Sequence, residues 1–295
     1  VPSYPQYLQR YFEKICQYVQ PQMRTLRIVG VPENQEWYGP LRPLFERVEC
    51  LSLHSGNFIY HLVSMENNNN SDQILEFMVK NTQLQSLKFE ANRCDILFKE
   101  IPICLPYLNA LSLIQGDPPI DGAYLQKLAR LRYLRHLQLI TMFPVEMESI
   151  LLCLPHFMDL TILEIRMYYV GPDEPNIDYS QVYKANSQSI VSLAQGIPYL
   201  KQFCLQYCQI DGETLASFIA EARTLQVLGL YGCNLEITEE VYLSMETARV
   251  ENDLYTNALH FCSEQIHPVV HERCTEEGEE FLIVKLIPND YLWNW

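Results

Sequence analysis

The feature that most constrains the fold of this chain is a short apolar motif that recurs along most of its length. Eight segments have the spacing apolar-x-x-apolar-x-apolar, and all 24 of these positions are apolar, 18 of them leucine. The segments are Met23, Leu26 and Ile28; Val48, Leu51 and Leu53; Leu84, Leu87 and Phe89; Leu108, Leu111 and Leu113; Leu134, Leu137 and Leu139; Leu160, Leu163 and Ile165; Leu200, Phe203 and Leu205; Leu225, Leu228 and Leu230. Such repetition predicts a stack of similar units, each of which buries its apolar face against its neighbours.

Each segment has the two-residue period of a half-buried strand, because its apolar positions alternate with other residues. Most segments recur after 24 to 26 residues, which is the unit length of leucine-rich repeats. Between the strands the apolar positions have helical spacing, as from Asp211, a predicted helix-capping residue, to Arg223. The sequence therefore predicts an α/β fold, a leucine-rich-repeat solenoid (horseshoe) with a parallel concave sheet and outer helices.

Three regions follow from the extent of the motif. Residues 1–22 are predicted to form an N-terminal capping helix, and 23–235 to form about eight repeat units with insertions near 57–72 and 168–187. Residues 236–295 are predicted to be a C-terminal repeat or capping region, in which the apolar run from Phe281 to Ile287 can pair with the last unit. Both ends of a solenoid need such cover because their apolar faces are otherwise exposed.

The turn after the strand carries Asn92, Cys208 or Cys233 in three units, where an inward side chain can hydrogen-bond the backbone of the bend. With Leu200-x-x-Phe203-x-Leu205-x-x-Cys208 and the equivalent run to Cys233, the chain resembles the cysteine-containing leucine-rich repeats of F-box proteins. The resemblance implies that the repeats capture a substrate protein while an upstream F-box, before Val1, recruits the ubiquitin-ligase core. The alternative is a general intracellular scaffold or regulatory inhibitor without a ubiquitin role.

Outward-facing strand positions should form one docking surface on the concave sheet. The candidate protein-binding residues are Arg27, His54, Lys88, Glu90, Ile114, Arg135, Gln138, Ile140, Glu164, Arg166, Gln206, Tyr207 and Tyr231. With Arg24 and Lys201 added, the basic residues of this face outnumber its glutamates, which reverses the sign of the whole chain and favours an acidic protein partner. The alternative is that a solvated sheet simply carries mixed charges.

The overall charge disfavours other partner classes. The chain has 21 Lys and Arg against 36 Asp and Glu, a formal net charge of −15, which repels nucleic-acid phosphates and anionic membranes. No apolar run is long enough to span a bilayer, and Val1 to Gln20 lacks the pattern of a signal peptide. Ten cysteines are scattered rather than clustered, which favours a reducing compartment, cytoplasmic or nuclear.

One segment has side chains that suit a metal. His260, Cys262, His267, His271 and Cys274 are five potential zinc ligands, but their spacing fits no zinc module, so a capping segment without metal is predicted. No glycine-rich phosphate loop and no recognisable nucleophile constellation is present. We therefore predict a protein that is not an enzyme and has no cofactor, with enzymatic activity as the alternative.

Overall fold

The computed structural model describes residues 14, 25–29, 50–54, 78–79, 82–91, 95–115, 122–141, 147–167, 187–206, 210–231, 233, 235–252, 259–263 and 282–285. The chain forms two compact units. Unit 1 comprises residues 1–118 and 127–134, and unit 2 comprises residues 119–126 and 135–295. Within the described residues, no helix has the length and apolar character needed to cross a membrane.

Unit 1 contains four parallel strands that pair in chain order. They are β1 (Thr25–Val29), β2 (Cys50–His54), β3 (Ser86–Ala91) and β4 (Ala110–Gln115). Helix α1 (Asp95–Cys104) connects β3 to β4 and ends two residues before Pro106, whose ring does not fit a helix interior.

Unit 2 contains six further parallel strands, again paired in chain order. They are β5 (His136–Thr141), β6 (Ile162–Met167), β7 (Gln202–Gln206), β8 (Val227–Tyr231), β9 (Leu259–Ser263) and β10 (Leu282–Lys285). The remaining helices are α2 (Gly122–Leu128), α3 (Met147–Cys153), a 3₁₀ helix (Leu154–His156), α4 (Ser187–Gly196), α5 (Gly212–Glu221) and α6 (Glu239–Glu251).

The register of the strands aligns the apolar motif from one repeat to the next. Leu163 pairs with Leu137 on one side and with Phe203 on the other, so equivalent residues stand side by side. All three are buried, as are most motif leucines whose side chains the structure describes. A shift by one residue would turn these side chains to the other face, so burial of the motif determines the register.

Helix α5 shows why the connecting segments are helical. The Asp211 carboxylate accepts a hydrogen bond from the Thr214 backbone N–H at 2.7 Å, which caps the first turn as predicted. Leu215, Phe218 and Ile219 are buried on one face of the helix. The Phe218 ring lies 5.2 Å from that of Phe203 on β7, so the helix packs against the motif face of the sheet.

The predicted α/β leucine-rich-repeat class is confirmed by these parallel strands, their register and the helices that connect them. Each of the eight motif segments leads into a strand. The region after residue 235 contributes two strands, and β9 lies between β8 and β10. The described part of the predicted run from Phe281 to Ile287, which is β10, therefore pairs with β9 instead of with the last predicted unit. The predicted N-terminal helix, apart from Lys14, and the predicted insertion near 57–72 lie outside the described residues, as does the predicted insertion near 168–187 apart from Ser187, which begins α4.

Candidate protein-binding face

The strands of unit 2 place their outward residues in three rows that run across the sheet. The first row is His136, Ile162, Gln202 and Val227. The central row is Gln138, Glu164, Cys204 and Gly229. The third row is Ile140, Arg166, Gln206 and Tyr231. Because strand residues alternate between faces, these rows share the face opposite to the motif leucines.

The central row is buried. Gln138 is 2% exposed and Glu164 is 3% exposed, and Cys204 is also buried. This row is flanked along the strands by the other two rows, which limits the access of water to it. The centre of the face therefore contributes to the framework of the sheet rather than to its solvent-exposed surface.

The buried Glu164 carboxylate is satisfied from two sides. Gln138 Nε2 on β5 donates to Glu164 Oε2 at 2.5 Å, and Arg166 Nε, two residues along β6, donates to Oε1. A carboxylate with little access to water needs such partners, since its desolvation is costly. The side chain of Arg166 is 21% exposed, so it connects this buried group to the surface.

His136 begins the first row and is also buried. Burial disfavours the charged imidazolium and lowers the pKa of His136 to about 3. The imidazole is therefore neutral at physiological pH and adds no positive charge to the face.

The exposed basic residues lie at the starts of the strands. Arg135 and Lys201 each precede a strand, and their side chains are exposed. The Arg135 carbonyl accepts hydrogen bonds from the backbone N–H groups of Thr161 and Ile162 at 2.7 and 2.9 Å. The Lys201 carbonyl likewise accepts hydrogen bonds from the backbone N–H groups of Gln226 and Val227. Both side chains therefore project from a hydrogen-bonded backbone.

The structure brings several predicted site residues together and leaves others undescribed. Gln138, Ile140, Glu164, Arg166, Gln206 and Tyr231 lie on neighbouring strands of unit 2. Arg27, His54, Lys88, Glu90 and Ile114 lie on strands of unit 1, but their side chains are outside the described part of the chain. Tyr207 lies wholly outside it.

The expected exposure of these residues needs a correction at three positions. Gln138, Ile140 and Glu164 were expected to face solvent and are buried. Alternation assigns a residue to a face of the sheet, but it does not show how far neighbouring rows shield that residue. The described positions that remain accessible are Arg166 and Gln206, which are partly exposed, together with Arg135 at the start of β5.

His136, Gln202 and Cys204 belong to the face but were not singled out from the sequence. The alternation of residues along a strand identifies them. His136 precedes Gln138 by two residues and Cys204 precedes Gln206 by two, so each shares a face with a predicted site residue. Cys233, in contrast, is buried as predicted, and its thiol donates to the Leu205 carbonyl on β7, the strand of the preceding unit, at 3.4 Å. Asn92 and Cys208, the other two turn positions, lie outside the described residues.

No group of three or more metal-ligating side chains occurs within the described ranges. His260 and Cys262 lie on β9, whereas His267, His271 and Cys274 are outside those ranges, so the absence of a metal stays a prediction. Cys104, Cys153, Cys204 and Cys233 are free thiols.

No protein-family model and no curated protein matches this sequence. Among solved structures, the chain is similar to internalin C2 from Listeria monocytogenes str. 4b F2365, with 14% identity and a TM-score of 0.39 over 72% of this chain and 75% of that one. It is also similar to TLR13 in a TLR13–ssRNA13 complex, with 14% identity and a TM-score of 0.40. That match covers 84% of this chain but only 36% of TLR13. Both are leucine-rich-repeat proteins.

Proposed function

We propose that this chain is a non-catalytic protein-binding module whose unit 2 sheet binds an acidic segment of a partner protein. The observation that carries the proposal is the pair of exposed basic side chains, Arg135 and Lys201, immediately before β5 and β7, two strands that contribute to a buried and internally satisfied central row. The backbone beneath these side chains is ordered by hydrogen bonds before binding, which reduces the entropy lost when a partner docks.

The spacing of the basic side chains suits an extended acidic peptide. Arg135 and Lys201 occupy equivalent positions immediately before β5 and β7, which are separated by β6, so their backbones lie about 10 Å apart. Alternate residues of an extended strand are about 7 Å apart and point the same way. Long basic side chains can therefore reach two carboxylates on one side of such a peptide, while Arg166 and Gln206 offer further donors.

At a finer level, we propose that the module recognises the substrate of an F-box-type ubiquitin ligase adaptor in the cytoplasm or nucleus. The inward Cys233 thiol at a repeat turn supports the resemblance to cysteine-containing repeats. The four free thiols among the described cysteines fit a reducing compartment. The rival is an intracellular scaffold or inhibitor without a ubiquitin role, which the same face would serve equally well.

The test is affinity purification of the full-length protein with quantitative mass spectrometry, using the double variant Arg135→Glu and Lys201→Glu. We expect acidic partners to be depleted about tenfold or more, since rim charges steer association and reversed charges repel an acidic surface. Thermal unfolding should be unchanged because both side chains are exposed.

The matched control is Glu213→Lys, which changes an exposed charge on α5, a helix that packs against the opposite face of the sheet. It should leave the recovered partners unchanged. The binding proposal fails if the double variant retains the same acidic partners. The ubiquitin role fails separately if the full-length protein never co-purifies with a ubiquitin-ligase core.

A further inference from the structure

Unit 1 carries a second basic surface, in residues 127–134. Three of the eight residues from 127 to 134 are Lys or Arg and none is Asp or Glu, in a chain with a net charge of −15. These residues, Lys127, Arg130 and Arg132, are exposed. They lie in the last turn of α2 and in the turn that follows it. A basic cluster of this density in an acidic protein is a distinctive local feature.

Two exposed tyrosines accompany these basic residues. Tyr107 is 50% exposed and Tyr133 is 54% exposed, and their ring centroids lie 5.8 Å apart with the planes inclined by 34°. Packed against each other, the rings have restricted motion, so little further entropy is lost when a ligand covers them. We name Tyr107, Lys127, Arg130, Arg132 and Tyr133 the basic–tyrosine patch.

The backbone of the patch is ordered by its own hydrogen bonds. The Arg130 N–H donates to the Lys127 carbonyl at 3.4 Å, and the Leu131 N–H donates to the Leu128 carbonyl at 2.9 Å. The Leu134 N–H donates to the Leu131 carbonyl at 3.2 Å, and Leu131 and Leu134 are buried. The buried leucines anchor the turn, and the residues between and beside them, Arg130, Arg132 and Tyr133, are exposed to solvent.

No carboxylate in the described part of the chain forms an ion pair with Arg130 or Arg132. Their guanidinium groups are therefore available to an external anion. Tyr and Arg are the residue types most enriched at the energetic centres of protein interfaces.

We propose that the basic–tyrosine patch is a second docking surface, which binds a short acidic peptide segment with an apolar side chain. The carboxylates of the segment pair with Arg130 and Arg132, and its apolar side chain packs on the Tyr107–Tyr133 pair. A short segment is favoured over a nucleic acid because a long polyanion would extend beyond this small patch onto a chain that is acidic overall.

The experiment measures binding of the full chain to a synthetic library of Glu- and Asp-rich peptides, each with one apolar residue at a varied position. We expect library members to bind at moderate salt. The exchange Arg132→Glu should weaken the selected peptide about tenfold, and Tyr133→Ala should weaken it by a similar factor. Circular dichroism should show unchanged folding because both side chains are exposed.

The chain provides matched controls at equivalent repeat positions in unit 2. Arg223 precedes Leu225 by two residues as Arg132 precedes Leu134, and Tyr199 precedes Leu200 as Tyr133 precedes Leu134. Both are exposed, so Arg223→Glu and Tyr199→Ala should leave binding of the peptide unchanged. The single reversal Lys201→Glu should also leave it unchanged, which distinguishes this patch from the proposed face in unit 2.

Three outcomes overturn the proposal. They are the absence of any binding library member, equal losses in the patch variants and their matched controls, and tighter binding of a single-stranded RNA oligonucleotide of equal charge. The last result would assign the patch to nucleic acid.

Discussion

At the scale of single residues, the unit 2 face combines a buried polar network with a buried neutral histidine. Glu164 lies between Gln138 and Arg166, so its charge is compensated without water. His136 lies two residues before Gln138 and is neutral at physiological pH, because burial lowers its pKa to about 3. The stability of this face should therefore depend on pH through His136.

The sign of that dependence follows from the two pKa values. The pKa of His136 is about 3 in the folded chain against 6.5 for an unperturbed histidine, so between these values the unfolded state binds more protons. Stability is retained above about pH 6.5 and is lost as the pH falls towards 3. Between about pH 7.5 and 5.5, the free energy of unfolding measured in urea should fall by about 1.4 kcal/mol less in His136→Gln than in the wild type.

The control for this experiment is His156→Gln, since the side chain of His156 is exposed. Its unfolding should keep the pH dependence of the wild-type chain. An identical pH dependence in His136→Gln and the wild type would show that His136 is accessible to protons in the folded state.

At the scale of elements, the sequence predicts strands better than it predicts exposure. Eight strands follow from the motif, because its leucines are the residues that the fold buries. Strand β9 was missed since its residues paired with Leu228 and Leu230 are Phe261 and Ser263, and a serine breaks the pattern. Burial of Gln138 and Glu164 was also missed, because it depends on side chains from neighbouring strands that are 26 residues apart in sequence.

The close packing of α2 against α3 in unit 2 was also not predicted from the sequence, although Gly122 lies at the contact between the two helices. A Cβ atom placed on Gly122, the first residue of α2, would lie 2.2 Å from the Ser149 carbonyl oxygen on α3. Backbone atoms cannot rotate away as the end of a side chain can. The glycine therefore allows an approach between the two helices that no other residue permits.

We expect Gly122→Ala to destabilise the protein by about 1–3 kcal/mol through this overpacking. The clash should outweigh the gain of about 1 kcal/mol that alanine normally brings to a helix. Urea denaturation is the measurement, and Gln126→Ala, at an exposed position of the same helix, is the control expected to change little. Equal or greater stability of Gly122→Ala would mean that α3 can move away without cost.

At the scale of the whole molecule, a strongly acidic chain displays exposed basic residues at the proposed binding surfaces. Its net charge of −15 repels an acidic partner at long range, whereas Arg135 and Lys201 attract it on contact. The range of electrostatic interactions decides which effect dominates. The Debye length is about 30 Å at 0.01 M salt and about 10 Å at 0.1 M.

These opposing effects predict a maximum in the association rate as salt increases. From about 0.01 to 0.1 M, screening should remove the long-range repulsion first, so association with a purified acidic partner should accelerate. Above about 0.1 M, screening should weaken the contacts with Arg135 and Lys201 themselves, so association should slow. Stopped-flow measurements should show this maximum in the wild type, whereas the double variant Arg135→Glu and Lys201→Glu, in which these two attractive charges are reversed, should associate more slowly at about 0.1 M and show a smaller decrease above that concentration. A rate that is the same for both proteins at every salt concentration would remove these two residues from the binding site.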